Sequence, residues 1–104
     1  MDEREYLIPL PSDAMLRVRY QKDHGRILQF TVQLEAYIEN IWTPITRYDT
    51  SHRFVHRDDL KPDGSQIKSS PMSFATNADA LNYAIRDLRL NHQLYIERFL
   101  GWKH

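Results

Sequence analysis

Residues 47–64 concentrate the side chains that could do chemistry; they read R-Y-D-T-S-H-R-F-V-H-R-D-D-L-K-P-D-G. A histidine titrates near neutral pH, and a neighbouring carboxylate can orient the imidazole and tune its pKa. His52 with Asp49, or His56 with Asp58, would make such an acid–base pair. The segment is therefore the first candidate for a catalytic site.

An arginine completes this catalytic hypothesis. The guanidinium of Arg47 or Arg53 would stabilise a phosphorane-like charge, which with the acid–base pair would be enough for metal-independent cleavage of RNA. The candidate catalytic residues are Asp49, His52, His56 and Arg47. The competing interpretation is a polar hairpin, in which residues 49–51 make side-chain-to-backbone turn bonds and the histidines face water. We favour the hairpin, because spacing alone assembles no complete catalytic constellation.

We expect no metal and no cofactor in this segment. In an extended strand His52 and His56 point to the same side but lie ~13 Å apart, too far to bind one ion. His56 and Asp58 are closer, at about 7 Å between backbones, yet two ligands do not make a site. The sequence also lacks a glycine-rich phosphate loop, a nucleophile elbow and a zinc-protease helix.

The composition limits the class of protein. The chain has 104 residues, which suits one domain. Lys plus Arg and Asp plus Glu each total 14, so no net positive charge points to nucleic acid. The lack of cysteine excludes disulfides and thiolate catalysis and is consistent with a reducing compartment. Because no apolar run fits a signal peptide or a membrane span, we expect a cytoplasmic protein without membrane association.

Alternation of apolar and polar residues predicts an antiparallel sheet. In the clearest strand, one face carries Leu28, Phe30, Val32, Leu34, Ala36 and Ile38. Pro44 cannot donate a ladder hydrogen bond, so the strand that contains it is at an edge or bulged. The predicted strands are 15–21, 28–38, 41–48, 52–60 and a weak 65–74, with tight turns at 39–40 and 61–64.

The C-terminal part changes to helical spacing. Apolar residues recur at intervals of three and four from Leu81 to Phe99, after an N-cap at Thr76, and predict a helix of about 24 residues. Gly101 suits a left-handed C-cap. We therefore predict an α+β fold, with an antiparallel meander of four to five strands and one long C-terminal helix packed on one face. Residues 1–13 would form an extended N-terminal arm, and residues 14–104 the single domain.

If the helix covers the apolar face, the other face of the sheet is open to solvent. Its candidate binding residues are Arg17, Arg19, Gln33 and Glu35. They would form a shallow polar surface for RNA or an anionic partner, or only a solvated surface. Strand parity places one aromatic side chain there, Tyr37, whereas we expect Trp42 in core or cap contacts.

Residues 16–100 resemble a small prokaryotic family of uncharacterised domains of about this length. Its members pair a long strand like L-Q-F-T-V-Q-L-E-A-Y-I with an R-Y-D-T-x-H segment, a second His, a P-D-G turn and a helix ending E-R-F-L. The segment is also similar to TumE-type toxins of toxin–antitoxin pairs, which carry an aromatic-Asp-x-x-His-Gly segment followed by further histidines. The comparable residues here are Tyr48, Asp49, His52 and His56; Arg53 replaces the Gly, and Arg57-Asp58 stand where another His is usual.

Two functions follow as expectations. The first is a protein-interaction or assembly module, acting through the outer sheet face or the proline-containing edge strand on a protein partner or a second copy of the chain. The second, implied by the toxin resemblance, is a metal-independent enzyme that acts on RNA through the His/Asp/Arg cluster. The sequence leaves open whether the chain is an enzyme, and we favour the interaction module.

Overall fold

The computed structural model describes residues 1–50 and 54–103. This part of the chain contains one antiparallel sheet of six strands, whose order in space is their order in the sequence, followed by a long helix. The strands are β1 Asp2–Leu10, β2 Ala14–Asp23, β3 Arg26–Ile38, β4 Ile41–Asp49, β5 His56–Leu60 and β6 Gln66–Lys68; the helix is α1 Asn77–Trp102.

The core lies between α1 and one face of the sheet, which we call the inner face. Alternation along β2 and β3 places their apolar side chains on this face, in register across the strands: Leu16 is opposite Leu34, and Val18 opposite Val32. α1 covers them with one stripe of buried residues: Ala80, Leu81, Ala84, Leu88, Tyr95, Ile96 and Phe99. Burying each large aliphatic side chain contributes roughly 1.5–3 kcal/mol, so this seam holds the two layers together.

The predicted fold class is confirmed: an α+β domain with an antiparallel meander and one long C-terminal helix. The sheet has six strands rather than four to five. The additional strand is β1, in the segment predicted to be an extended arm. Its backbone is extended, and it pairs antiparallel with β2 from Asp2↔Lys22 to Leu10↔Ala14. Pro9 in this strand is compatible with its place at the edge of the sheet.

A β-bulge changes the start of the longest strand. The register between β2 and β3 shifts between Gln21 and Lys22, so that Gln21 is opposite Gln29 while Lys22 is opposite Ile27. Ile27 therefore packs against the core, and Leu28, predicted on the apolar face, is exposed. A bulge reverses the side-chain alternation locally, which regular period-two counting cannot anticipate.

The predicted turn at 39–40 is present, with positive φ at both Glu39 and Asn40, as tight hairpin turns require. The predicted end of the helix is wrong. Gly101 stays inside α1, which runs to Trp102, and the C-cap is Lys103 with an ordinary right-handed backbone. The N-cap is as predicted, since the Thr76 hydroxyl accepts a 3.1 Å hydrogen bond from the Asp79 amide. No helix in the described ranges is long and apolar enough to span a membrane.

A buried polar network joins α1 to the sheet. Tyr48 on β4 and Tyr95 on α1 each donate a 2.7 Å hydrogen bond to the same Asp87 oxygen. Arg57 on β5 donates to the Tyr95 hydroxyl at 3.1 Å, and Asp59 pairs with both Arg57 and Arg98. Burial, followed by the hydrogen bond to Asp87, raises the pKa of both tyrosines, so both stay protonated at neutral pH. These contacts set the position of the helix and leave the opposite face of the sheet uncovered by it.

Candidate functional site

The second face of the sheet, which we call the outer face, is built from cross-strand rows. Register makes Arg17, Gln33, Arg47 and Asp58 successive neighbours across β2 to β5. The adjacent row consists of Glu5, Arg19, Thr31, Asp49 and His56. The structure therefore brings Arg47, Asp49 and His56 onto one continuous surface with the candidate binding residues Arg17, Arg19 and Gln33.

Three of the four candidate catalytic residues lie together on this face. Asp49 is directly opposite His56, and Arg47 is directly opposite Asp58. The Arg47 guanidinium lies 3.7 Å from Asp49 and 3.7 Å from Asp58, beyond hydrogen-bond distance. The fourth residue, His52, lies outside the described residues.

The environment of His56 is poorly suited to proton transfer with a substrate. The residue is only 8% exposed, and its Nδ1 is buried without a hydrogen-bond partner in the described part of the chain. The Phe54 ring packs edge-on beside the imidazole, with centroids 6.4 Å apart. A general base must come within hydrogen-bond reach of the proton that it removes, so His56 would need to become more exposed to act.

The candidate binding residues are held by ion pairs. Glu35 is 5% exposed, although strand parity places it on the outer face, and it accepts from Arg17 Nε at 2.8 Å and from the Gln33 amide at 3.0 Å. Arg17 also contacts Glu5 at 3.2 Å, and Arg19 contacts Glu5 at 3.3 Å. The hydrogen bond from Arg17, together with the charge of Arg19, lowers the pKa of Glu5, and Glu35 raises that of Arg17. Glu5 and Arg17 are therefore both charged at neutral pH.

Two open depressions lie side by side on this surface, and Arg19, Thr31 and Asp49 line both of them. One has a volume of about 380 Å³ and is completed by Arg17, Gln33 and Arg47. The other has about 340 Å³ and extends toward Gln21 and Gln29. All the residues that line the 380 Å³ depression belong to β2, β3 or β4. A rigid scaffold therefore presents the guanidinium and amide groups of this depression.

An aromatic pair at one end of the outer face was missed in the sequence. Tyr37 and Trp42 are opposite each other across β3 and β4, with ring centroids 5.3 Å apart. Their exposed fractions are 45% and 43%, so Trp42 is a surface residue and not the core contact that was expected. Strand parity alone could have revealed this, because a two-residue turn at 39–40 puts position 42 opposite position 37.

A family model described as "Domain of unknown function (DUF7718)" matches residues 1–104. The chain belongs to this family. Searches of curated proteins and of solved structures found no significant match.

In this DUF7718 domain, Tyr48 has a different place from the other residues of its sequence motif. Its side chain is buried on the inner face, whereas Asp49 and His56 belong to the outer face. Tyr48 is thus a core residue. The outer face presents arginine, carboxylate, amide and aromatic groups. Within residues 1–50 and 54–103, no group of three or more His, Asp or Glu side chains is arranged to hold a metal ion. The groups present can form ion pairs, hydrogen bonds and ring contacts with a partner.

Proposed function

We propose that this DUF7718 domain is a protein-interaction module whose recognition surface is the outer face of the sheet. The observation that carries the proposal is the exposed Tyr37–Trp42 ring pair on the same face as Arg17, Arg19 and Arg47. Trp, Tyr and Arg are the residue types that dominate binding energy at protein interfaces.

The charge distribution favours a protein over a nucleic acid. Each of the three arginines has a carboxylate within 3.7 Å, and Glu5, Glu35, Asp49 and Asp58 lie among them. A phosphate backbone requires uncompensated positive charge, whereas each of these three arginines of the described face is paired with a carboxylate. A protein surface can instead place carboxylates near Arg19 and Arg47 and an apolar group on Trp42.

The proposal is tested by photo-crosslinking in the cell of origin, with a photoreactive amino acid at Gln33 in the 380 Å³ depression and, separately, at the exposed Leu90 of α1. The protein captured at position 33 but not at position 90 is then purified, and its affinity for the domain is measured. We expect Trp42→Ala and Arg47→Ala each to weaken binding by about tenfold or more. Ile41→Ala is the matched control, since Ile41 precedes Trp42 and is more exposed.

The expected affinity of the Ile41→Ala variant is within about twofold of the unmodified protein. The proposal is overturned if position 33 captures only RNA, or if the affinity of the captured protein is insensitive to both Trp42 and Arg47. Unchanged thermal melting of each variant establishes that an affinity loss comes from the surface and not from unfolding.

A metal-independent enzyme that acts on RNA is the second candidate, and the opposition of Asp49 and His56 beside Arg47 favours it. In that mechanism the Asp49 carboxylate orients the imidazole, and Arg47 balances charge at the reacting phosphate. The purified chain would cleave RNA in the presence of EDTA, and both His56→Gln and Asp49→Asn would reduce the rate by about a hundredfold or more. Intact RNA after incubation with the unmodified protein rejects this candidate.

A further inference from the structure

The side of α1 that faces away from the sheet carries a narrow apolar stripe. Leu90 and Leu94 are 75% and 63% exposed, the highest values among the leucines of the helix. At 100° per residue they lie on nearly the same side, opposite the buried stripe that contains Leu88. Tyr83 and Gly101 continue this side toward the two ends of the helix, so the stripe spans about 27 Å at 1.5 Å per residue.

Gly101 is a helical glycine with open space around it in the part of the chain that the structure describes. A Cβ built at this position meets no atom within 4 Å, and its backbone is part of α1. Glycine lowers helix stability by up to about 1 kcal/mol relative to alanine, and here no close approach or positive φ within the chain requires it. A surface that needs a small residue at this point would explain its presence.

Two copies of the stripe are complementary when the helices run antiparallel. A two-fold axis passing midway between Leu90 and Leu94 places Leu90 of one copy opposite Leu94 of the other. The same axis places Tyr83 opposite Gly101. The Tyr83 ring packs against Phe74 and Tyr48 of its own chain, at centroid distances of 5.3 and 6.2 Å, and the 47% of the residue that stays exposed would cover the one helix residue without a side chain. One alignment of the two helices forms both pairs, because the midpoint between Leu90 and Leu94 is the same sequence position as the midpoint between Tyr83 and Gly101.

The charges agree with this arrangement. Arg86 and Glu97 flank the leucines on the same side of α1, and the axis brings Arg86 of one copy level with Glu97 of the other to within about 1.5 Å along the helix. Symmetry forms this pair twice. Within the described chain Arg86 has no ion-pair partner, and Glu97 accepts only a 3.4 Å hydrogen bond from Gln93. Both groups are therefore available to a second copy.

We propose that α1 pairs antiparallel with α1 of a second copy of this chain, through Leu90 and Leu94 at the centre, Arg86–Glu97 pairs beside them and Tyr83 over Gly101 at both ends. The contact is confined to one helix face and is smaller than the interfaces of permanent dimers. The resulting dimer is weak and reversible, with Kd between about 1 μM and about 1 mM. It leaves both outer sheet faces free, and is therefore independent of the function proposed for that face.

Sedimentation equilibrium of the full chain over that concentration range tests the pairing. We expect a monomer–dimer equilibrium in which Leu94→Gln raises Kd by about tenfold or more. Arg86→Glu alone and Glu97→Arg alone raise it similarly, because each replaces two opposite-charge contacts with like-charge contacts. The double variant with both charges exchanged restores Kd to within about threefold of the unmodified value, since the pairs are re-formed with reversed signs.

Leu7→Gln is the matched control, because Leu7 is half exposed on the edge strand β1 and its loss leaves Kd unchanged. Circular dichroism establishes that each variant is folded. A chain that stays monomeric throughout the range overturns the proposal. A dimer that is insensitive to Leu94→Gln, or that the charge exchange does not rescue, also overturns it.

Discussion

Tyr48 on β4 and Tyr95 on α1 donate hydrogen bonds to one and the same carboxylate oxygen of Asp87, each at 2.7 Å. One residue from the sheet and one from the helix thus share an acceptor at the junction of the two layers. A second oxygen of Asp87 accepts from Asn91 at 2.8 Å. Hydrogen bonds to a charged acceptor are stronger than those between neutral groups. This junction therefore adds directional contacts to the apolar packing between the helix and the sheet.

Removal of one hydroxyl from this junction tests its energy. Tyr48→Phe keeps the buried ring and removes a hydrogen bond to a carboxylate, so we expect a loss of about 1.5–3 kcal/mol in the free energy of unfolding. Urea denaturation measures it. Tyr83→Phe is the matched control: it keeps the ring contacts of the half-exposed Tyr83 with Tyr48 and Phe74, and the expected change is within about 0.5 kcal/mol. Equal losses in the two variants would contradict the proposed importance of Asp87.

The same junction predicts a loss of stability at alkaline pH. The pKa values of Tyr48 and Tyr95 are raised above the ordinary 10.0, by burial and then by Asp87, so the folded state keeps two protons that the unfolded chain releases. This contribution is fully present below pH 10 and declines as pH rises toward the folded pKa values. The free energy of unfolding should fall by up to about 1.4 kcal/mol per pH unit for each tyrosine.

Denaturation curves from pH 8 to pH 11.5 measure this dependence. Tyr48→Phe and Tyr95→Phe should each reduce the alkaline slope by the contribution of one tyrosine, and Tyr83→Phe is measured beside them as a second substitution that keeps the ring. An alkaline slope that is the same in all three variants would show that the buried hydroxyls are not its source.

The ion pairs of the outer face should differ in strength. Arg17 bonds a Glu35 side chain that is only 7% exposed, whereas the Arg19 and Glu5 side chains are 57% and 42% exposed. We expect a coupling free energy of about 1 kcal/mol for Arg17 with Glu35, reduced by solvent because the Arg17 side chain is 39% exposed. A double-mutant cycle with Arg17→Met and Glu35→Gln measures it. The matched cycle on Arg19 and Glu5 should show no resolvable coupling. A coupling there that exceeds the coupling of Arg17 with Glu35 would contradict the prediction.

Two glycines with open space around them should respond to alanine in opposite directions. Gly25 has φ of +77°, where a Cβ costs about 1–2 kcal/mol, so Gly25→Ala should destabilise the fold by about that amount. Gly101 lies in the last turn of α1, so Gly101→Ala should stabilise the monomer by less than about 1 kcal/mol. Thermal melts of dilute protein compare them. Destabilisation by both substitutions would mean that Gly101 has a contact inside the chain.

Much of the candidate site followed from alternation in the sequence. Arg17, Arg19 and Gln33 were assigned to one solvated face because they alternate with apolar residues in long strands, and all three lie on the outer face. The sequence could not show that Asp49 and Arg47 join them. That depends on the pairing register of β3 with β4, where Ile45 is left without a partner at a bulge. Burial of Glu35 was likewise missed, since it results from Arg17 and Gln33 folding over it.

By itself the sequence determined the fold class, the turn at 39–40, the N-cap at Thr76 and the apolar faces of β2, β3 and α1. These depend on side-chain periodicity and local backbone preference, which neighbouring residues decide. Only the tertiary structure decided that β1 joins the sheet, that Ile27 replaces Leu28 in the core, and that Asp49 stands opposite His56. Those features depend on pairing register and bulges between distant segments, where one residue of slip moves a side chain to the other face.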